Sequence, residues 1–273
     1  MRIAVIIPSR ERAIGLAAVI TSLDMLASGK NEITYGVCAD EDDPPTKLFA
    51  LGIQARMPDR IAVRVGPRPQ SLGALVNDMA LRLPADAYCS ITDDILCLTP
   101  AWDEEIRAKI EETPHGVFWW RNALEQDSLF AVVSDAWRQA AGGIFTNYYP
   151  FWFDDWALAE LWTLATGREP LRLNAQIADK PRHTHRLRDI PFWQSFYIFT
   201  RAERVRWARD IAAKLGLPEP LHAEAMADRL NAALHAMDAE AAKRIELQGD
   251  TEAPDAAYVA AKVRAENMMR EAA

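Results

Sequence analysis

Three short apolar runs in the first hundred residues each stop at a polar cluster. Arg2-Ile3-Ala4-Val5-Ile6-Ile7 stops at Pro8-Ser9-Arg10, and Ile33-Thr34-Tyr35-Gly36-Val37-Cys38-Ala39 stops at Asp40-Glu41-Asp42-Asp43. Ala87-Tyr88-Cys89-Ser90-Ile91-Thr92 stops at Asp93-Asp94, and a further apolar stretch from Ile95 to Leu98 follows at once. Runs of this length, bounded by turn residues, predict buried strands. Between them Ile14, Leu16, Ala17, Val19, Ile20, Leu23 and Leu26 make the apolar face of a helix over 14–28, ended by Gly29-Lys30-Asn31. Residues 48–53 predict a short helix, 61–65 a further strand closed by Gly66-Pro67-Arg68-Pro69, and 71–83 a helix with Ser71 at its N-cap. Strand and helix in alternation imply an α/β chain whose mostly parallel sheet is covered on both faces.

The middle of the chain is aromatic. Residues 117–120 and 129–134 predict strands, 135–141 a short helix ending at Gly142-Gly143, and 156–166 a helix closed by Gly167. A polar segment with His183-Thr184-His185-Arg186 precedes an apolar stretch over 192–200. From Arg201 the composition shifts to Ala, Glu, Arg and Met. Met226, Leu230, Leu234, Met237, Ala241 and Ile245 fall three or four apart as one helical stripe, and Pro254 opens a last helix with Tyr258, Val259, Val263 and Met268. This divides the chain into a sheet domain over 1–200 and a C-terminal helical extension over 201–273. The stripe is expected to pack on the sheet domain, with a homodimer interface as the alternative.

Half of the 273 residues are apolar, enough for a substantial core, and the net charge is −8. An acidic chain is a poor nonspecific nucleic-acid binder, since such binding rests on basic surface. Three cysteines, Cys38, Cys89 and Cys97, all in strand-like segments, predict buried thiols rather than a disulfide framework. The N-terminal run is too short for a signal peptide, and no segment reaches the ~20 apolar residues of a membrane span. A soluble cytoplasmic protein is the expectation.

Carboxylates at the C-terminal end of a buried strand are costly unless they hold a cation or ligand, and in open α/β sheets that end is where ligands bind. Asp93-Asp94 therefore points to a hard divalent metal, with a substrate phosphate supplying further oxygens. No Gly-x-Gly-x-x-Gly fingerprint follows the first strand and no Gly-x-x-x-x-Gly-Lys loop is present, which disfavours dehydrogenase and P-loop chemistry. Asp154-Asp155 follow six residues of which five are aromatic and one is proline. A carboxylate there could deprotonate an attacking hydroxyl. His183 and His185, two apart, share a face in extended chain and suit Mn²⁺. Nine tryptophans are present, and Trp119, Trp120, Trp152 and Trp156 are expected to cluster, on what the resemblance described below implies is an acceptor side. Aromatic planes suit the C–H faces of a saccharide.

Over residues 1–200, four segments together resemble the family-2-like glycosyltransferases of GT-A fold. These are Ile6-Ile7-Pro8-Ser9-Arg10-Glu11-Arg12, Ser71-Leu72-Gly73-Ala74-Leu75-Val76-Asn77, Thr92-Asp93-Asp94 and Trp152-Phe153-Asp154-Asp155-Trp156. The resemblance implies a GT-A-type, Rossmann-like three-layer sandwich and a hexosyltransferase-like enzyme. It would use a nucleotide-diphosphate sugar as donor, Mn²⁺ or Mg²⁺ as cofactor, and a saccharide or other hydroxyl compound as acceptor. On it, Pro8, Ser9 and Arg10 contact the nucleotide, Asp40 (or Asp42) the base, and Gly73 and Asn77 the ribose side. Asp94 ligates the metal, Asp93 contacts ribose or a coordinated water, and His185 (or His183) is a further ligand. Asp155, or else Asp154, is the base of an inverting reaction; in a retaining one neither is. Thr92 stands where the spaced acidic motif of the family has its first carboxylate. Two other readings remain. One is a non-catalytic nucleotide-sugar-binding or oligomeric interaction protein. The other is a sugar nucleotidyltransferase, weakened by the missing Gly-rich loop after Ile7.

Overall fold

The opening apolar run forms β1 (Arg2–Ser9), the strand around which the molecule is organised. The computed structural model describes residues 1–123, 130–150, 153–179, 189–232 and 255–271. In it, β1 lies parallel between β2 (Glu32–Asp40) and β4 (Ala87–Ser90), and β3 (Ile61–Gly66) runs parallel to β2. Alternation along β1 sends Ala4 and Ile6 into the core on one face of the sheet and Ile3, Val5 and Ile7 into the core on the other. Both faces are therefore covered, as in a three-layer sandwich.

Past β4 the sheet becomes mixed. β7 (Ala131–Ser134) is antiparallel to β4, and β6 (Val117–Asn122) is antiparallel to β7. β8 (Leu171–Asp179) is parallel to β6, and the short β5 (Ile95–Cys97) is antiparallel to β8. The order is β3-β2-β1-β4-β7-β6-β8-β5. The parallel half is the half built from strand–helix crossovers, which return each strand in the same direction.

One face carries α1 (Ala13–Leu26), α2 (Pro44–Arg56) and α4 (Trp102–Glu112). From α1, Leu16, Val19, Ile20 and Leu23 face the sheet at helical spacing. α2 starts earlier than the expected 48–53. Pro44 and Pro45 occupy its first positions, where a missing N–H costs nothing, and the Asp43 carboxylate accepts the Thr46 N–H. The other face carries α3 (Leu72–Arg82), α5 (Asp135–Ala141) and α6 (Asp154–Thr166). Ser71 caps α3 by accepting from the Ala74 N–H at 3.2 Å, as expected. Trp119 and Trp120 do not gather at an acceptor. Successive residues of β6, they point to opposite faces and are buried in the two cores, Trp120 against Trp102 at 5.6 Å between rings. Trp152 lies outside the described residues.

The chain after residue 189 returns to the sheet domain. α8 (Arg201–Lys214) brings Ala208, Ile211 and Ala212 into the core of α3, α5 and α6, and the helical residues 223–232 (α9) add Ala223 and Ala227. Met226 and Leu230 are half-buried; Leu234, Met237, Ala241 and Ile245 lie outside the described residues. Beneath α8, Glu160 and Arg204 are fully buried as a pair, Nε to Oε2 at 2.6 Å. Tyr197 donates to the same Oε2 at 2.7 Å and Asn231 to Oε1 at 3.1 Å. α7 (Ile190–Phe199) and α10 (Ala256–Glu271) close an aromatic cluster of Tyr149, Phe153, Trp193, Phe196, Tyr197 and Tyr258. Among the described residues no helix is long and apolar enough to cross a membrane. The three cysteines are buried free thiols, with burial pushing Cys38 up to about 12 and Cys97 to about 11.

Candidate active site

The carboxyl ends of β1, β2 and β4 are neighbours, so Ser9, Asp40 and the Asp93-Asp94 pair beyond β4 meet on one edge of the sheet. The β1–α1 loop ties them together. Ser9 Oγ donates to Asp93 Oδ2 at 2.6 Å. Arg12 Nη1 bridges Asp93 Oδ1 at 3.1 Å and Asp94 Oδ2 at 2.5 Å, and Thr92 Oγ1 donates to Asp94 Oδ1 in a short bond. Arg10 turns the other way: its Nη1 donates to Asp40 Oδ2 at 2.9 Å and to Asp42 Oδ1 at 2.6 Å, and its Nη2 to Asp42 Oδ2 at 3.1 Å. Between the arginines Glu11 has φ of 57°, and its N–H donates to Asp43 Oδ2 at 2.6 Å. That left-handed turn lets two residues of one loop reach carboxylates on opposite sides of β1.

Asp93 is only 4% exposed, and burial pushes its carboxyl up against the opposing pull of Ser9 and Arg12. Burial likewise raises Asp40, whereas Arg10 lowers the exposed Asp42. Asp40 is thus the enclosed acid at the strand end. Pro8 stands opposite Cys38 within β1, one residue from the loop. The close seat of α1 was not legible in the sequence: a Cβ on Gly15 would overlap the Asp93 carbonyl oxygen. That contact fixes the helix start, and Arg12 with it, against the acidic turn.

A second group sits where α3 begins, after β3 on the same edge. The Gly73 N–H donates to Asp154 Oδ2 at 3.2 Å, Thr146 Oγ1 donates to Asp154 Oδ1 at 2.8 Å, and the Leu72 N–H donates to the Pro150 carbonyl at 3.1 Å. A Cβ on Gly73 would stand 2.8 Å from Asp154 Oδ2 and 2.9 Å from Phe145 Cβ, so glycine here serves close packing of α3 on Phe145, Thr146 and Asp154. Asn77 is spent on the same segment. Its amide nitrogen donates to the Phe145 carbonyl at 2.8 Å and to Asn147 Oδ1 at 3.0 Å, and its oxygen accepts the Ile144 and Phe145 N–H groups at 2.7 and 3.2 Å. With all four hydrogen-bonding positions filled, Asn77 positions this loop.

α6 begins at Asp154, after Phe153 in a left-handed conformation. Asp154 is buried, and desolvation, with the Asp155 charge beside it, raises its carboxyl well above the usual range. Asp155 is half-buried and accepts the Trp156 N–H at 2.9 Å. Of the two, Asp154 is an internal link and Asp155 the more accessible carboxylate. His183 and His185 lie outside the described residues, as do Arg182, Arg186 and Arg188. Among the described residues no group of three or more histidine, cysteine or acidic side chains could hold a metal. Asp93 and Asp94 offer hard oxygen donors, and each oxygen keeps a lone pair beyond its present bond. That donor set fits Mg²⁺ or Mn²⁺ when substrate phosphates complete the coordination.

No protein-family model and no curated protein matches the sequence. Solved structures match by shape. The mannosyltransferase PcManGT from Pyrobaculum calidifontis, in complex with GDP-Man and Mn²⁺, is similar with a TM-score of 0.56 at 14% identity, over 97% of this chain and 85% of that one. GalNAc-T7 with UDP, GalNAc and Mn²⁺ is similar with a TM-score of 0.58 at 9% identity, over 77% of this chain and 54% of that one. The strand order, the covered sheet and these likenesses agree: the chain has the GT-A-type fold of glycosyltransferases.

Proposed function

We propose that the chain is a metal-dependent glycosyltransferase that moves a sugar from a nucleotide-diphosphate donor to a hydroxyl acceptor. The observation that carries this reading is the Asp93-Asp94 pair at the carboxyl edge of a GT-A-type sheet, joined to Asp40 by the cationic β1–α1 loop. The nucleotide and Mn²⁺ held by the two similar structures support it. In this reading Asp94, the more accessible of the pair, holds the metal, with Asp93 beside it and His185 as a further ligand. Asp40 and Arg10 face the base and the phosphates, and Pro8 and Ser9 shape the loop against them. A divalent cation bound there would neutralise the charge that develops on the departing diphosphate. Asp155 takes the proton of the attacking hydroxyl, while Gly73, Asn77 and Asp154 fix the segment that presents it. A cytoplasmic location belongs to the same reading and rests on the three buried free thiols.

Calorimetry with UDP, GDP, CDP and TDP, each with and without Mn²⁺, tests it. One nucleotide should bind in a Mn²⁺-dependent manner, and Asp94→Ala should abolish that dependence while the circular dichroism spectrum stays native. Unchanged metal-dependent affinity in Asp94→Ala would remove Asp94 from the site. Absence of binding by all four nucleotides would remove the function.

A further inference from the structure

The position between the two carboxylates is already taken by a cation of the chain itself. One nitrogen, Arg12 Nη1, bridges Asp93 Oδ1 and Asp94 Oδ2, while Ser9 and Thr92 hold the other oxygen of each carboxylate. The Arg12 side chain is only 12% exposed there. A cation shared by both carboxylates needs the place of Nη1. Even on Asp94 Oδ2 alone, at the ~2.0–2.1 Å of a Mg–oxygen bond, it would stand beside a guanidinium nitrogen 2.5 Å from the same oxygen. Two positive charges sharing one oxygen, with no water between them, oppose each other, so a metal is held weakly while Arg12 stays in place.

The backbone under Arg12 cannot retreat. Its N–H donates to Thr46 Oγ1 at 3.3 Å, its carbonyl accepts the Leu16 N–H at 2.9 Å in the first turn of α1, and Gly15 seats that turn on the Asp93 carbonyl. Only the side chain can move. Arg10, two residues earlier, is bound instead to Asp40 and Asp42. We infer that Arg12 is the resident counter-cation of the Asp93-Asp94 pair, that it competes with a divalent ion there and swings out when one is held tightly, and that the donor's diphosphate receives the displaced guanidinium. This rests on the reading of Asp94 as metal ligand and adds a regulation to it. Metal alone binds weakly, and metal and nucleotide bind cooperatively because each removes what opposes the other.

The test is titration of Mn²⁺ alone into the full chain, followed by the spin-resonance signal of free Mn²⁺ and repeated with the nucleotide that binds in the panel above. Arg12→Gln should tighten Mn²⁺ binding in the absence of nucleotide by tenfold or more. It should also shrink the gain in Mn²⁺ affinity that nucleotide confers on the wild type. Without metal the variant should melt below the wild type, since two adjacent carboxylates lose their cation, and Mn²⁺ should raise its Tm by more than it raises the wild-type value. Arg12→Lys keeps the charge without the planar fork and should fall between the two, which preserves the test should the glutamine variant fold poorly. Equal or weaker Mn²⁺ affinity in the folded variants, with nucleotide-dependent Mn²⁺ binding intact in the wild type and lost in Asp94→Ala, would overturn the inference and leave the proposed function standing. Failure of Mn²⁺ to bind the wild type even with nucleotide would overturn both.

Discussion

Gly15→Ala is expected to damage the acidic turn from inside a helix, where alanine is ordinarily welcome. In an exposed helix interior, glycine to alanine stabilises by roughly 0.5–1 kcal/mol. Gly52, exposed in α2 with nothing within 4 Å of a Cβ placed on it, should show that gain. At Gly15 the added methyl overlaps the Asp93 carbonyl oxygen. Relief to an ordinary C···O separation of roughly 3.3–3.6 Å requires α1 and the acidic turn to part by on the order of 1 Å. Overpacking of this kind costs about 1–3 kcal/mol, more than the helical gain. The net loss of up to about 2 kcal/mol corresponds to a Tm lower by roughly 4–8 °C for a chain of this order of size, while Gly52→Ala should melt slightly above the wild type. The displacement also moves Asp93 and Asp94 off their geometry, and misplacement by 1 Å can cost about 10²-fold in rate. Paired thermal melts and Mn²⁺-dependent nucleotide calorimetry on the two variants check this. A Gly15→Ala protein as stable as Gly52→Ala, with native Mn²⁺-dependent binding, would refute the argument that this contact holds the site.

Asp155→Asn should lower transfer turnover by about 10²–10⁴-fold with donor affinity nearly unchanged, the usual range for loss of a general base; full turnover would end that assignment. Asp154→Asn should act on stability and change its pH dependence. The folded chain holds the Asp154 proton more tightly than the unfolded chain does. Its contribution is therefore fully present below the unfolded value of ~3.9 and is lost as pH rises through the folded one. Urea melts at several pH values should show wild type losing ground to Asp154→Asn on going up from about pH 4, and a constant difference would contradict this. Arg204→Met should destabilise by less than the about 3–5 kcal/mol of a wholly stranded buried charge, because Arg201 Nε stays 3.4 Å from Glu160 Oε1, and Glu160→Leu in the same chain should restore part of that loss; a Tm unchanged by Arg204→Met would show the pair to be inert.

The strand ends were readable because each apolar run breaks abruptly into charge: β1, β2 and β4 stop at Ser9, Asp40 and the turn leading to Asp93. Other elements were hidden for physical reasons. In β8 the buried Leu173, Ala175 and Ile177 alternate with Arg172, Asn174 and Gln176, a period-two pattern too thin in apolar bulk to stand out. In α4, Trp102 and Ile106 alone are buried apolar residues among charges. The proline pair of α2 reads as a breaker, although at a helix start it is a promoter. Within the site, residue types were visible and partners were not. Nothing in Pro-Ser-Arg-Glu-Arg tells which arginine meets which acid, because the answer depends on the left-handed turn at Glu11. Asn77 sits in a segment that resembles a nucleotide-contacting helix, yet its amide is filled by a loop nearly seventy positions away, a contact only the tertiary fold creates.

The Glu160–Arg204 pair also constrains how this chain can change over generations. Each residue is wholly enclosed; loss of Glu160 leaves the Arg204 charge without its carboxylate, whereas loss of Arg204 leaves Glu160 with Arg201 at 3.4 Å. A lineage that loses Glu160 first must pass through a poorly folded intermediate unless Arg204 changes with it. Homologous sequences are therefore expected to carry the pair intact or to replace it jointly with apolar side chains of matching volume. Tyr197 and Asn231 should drift only after the acid has gone. The helices beyond residue 200 are bound by this inheritance to α6 and the sheet beneath it, so recombination that exchanges one without the other should be purged.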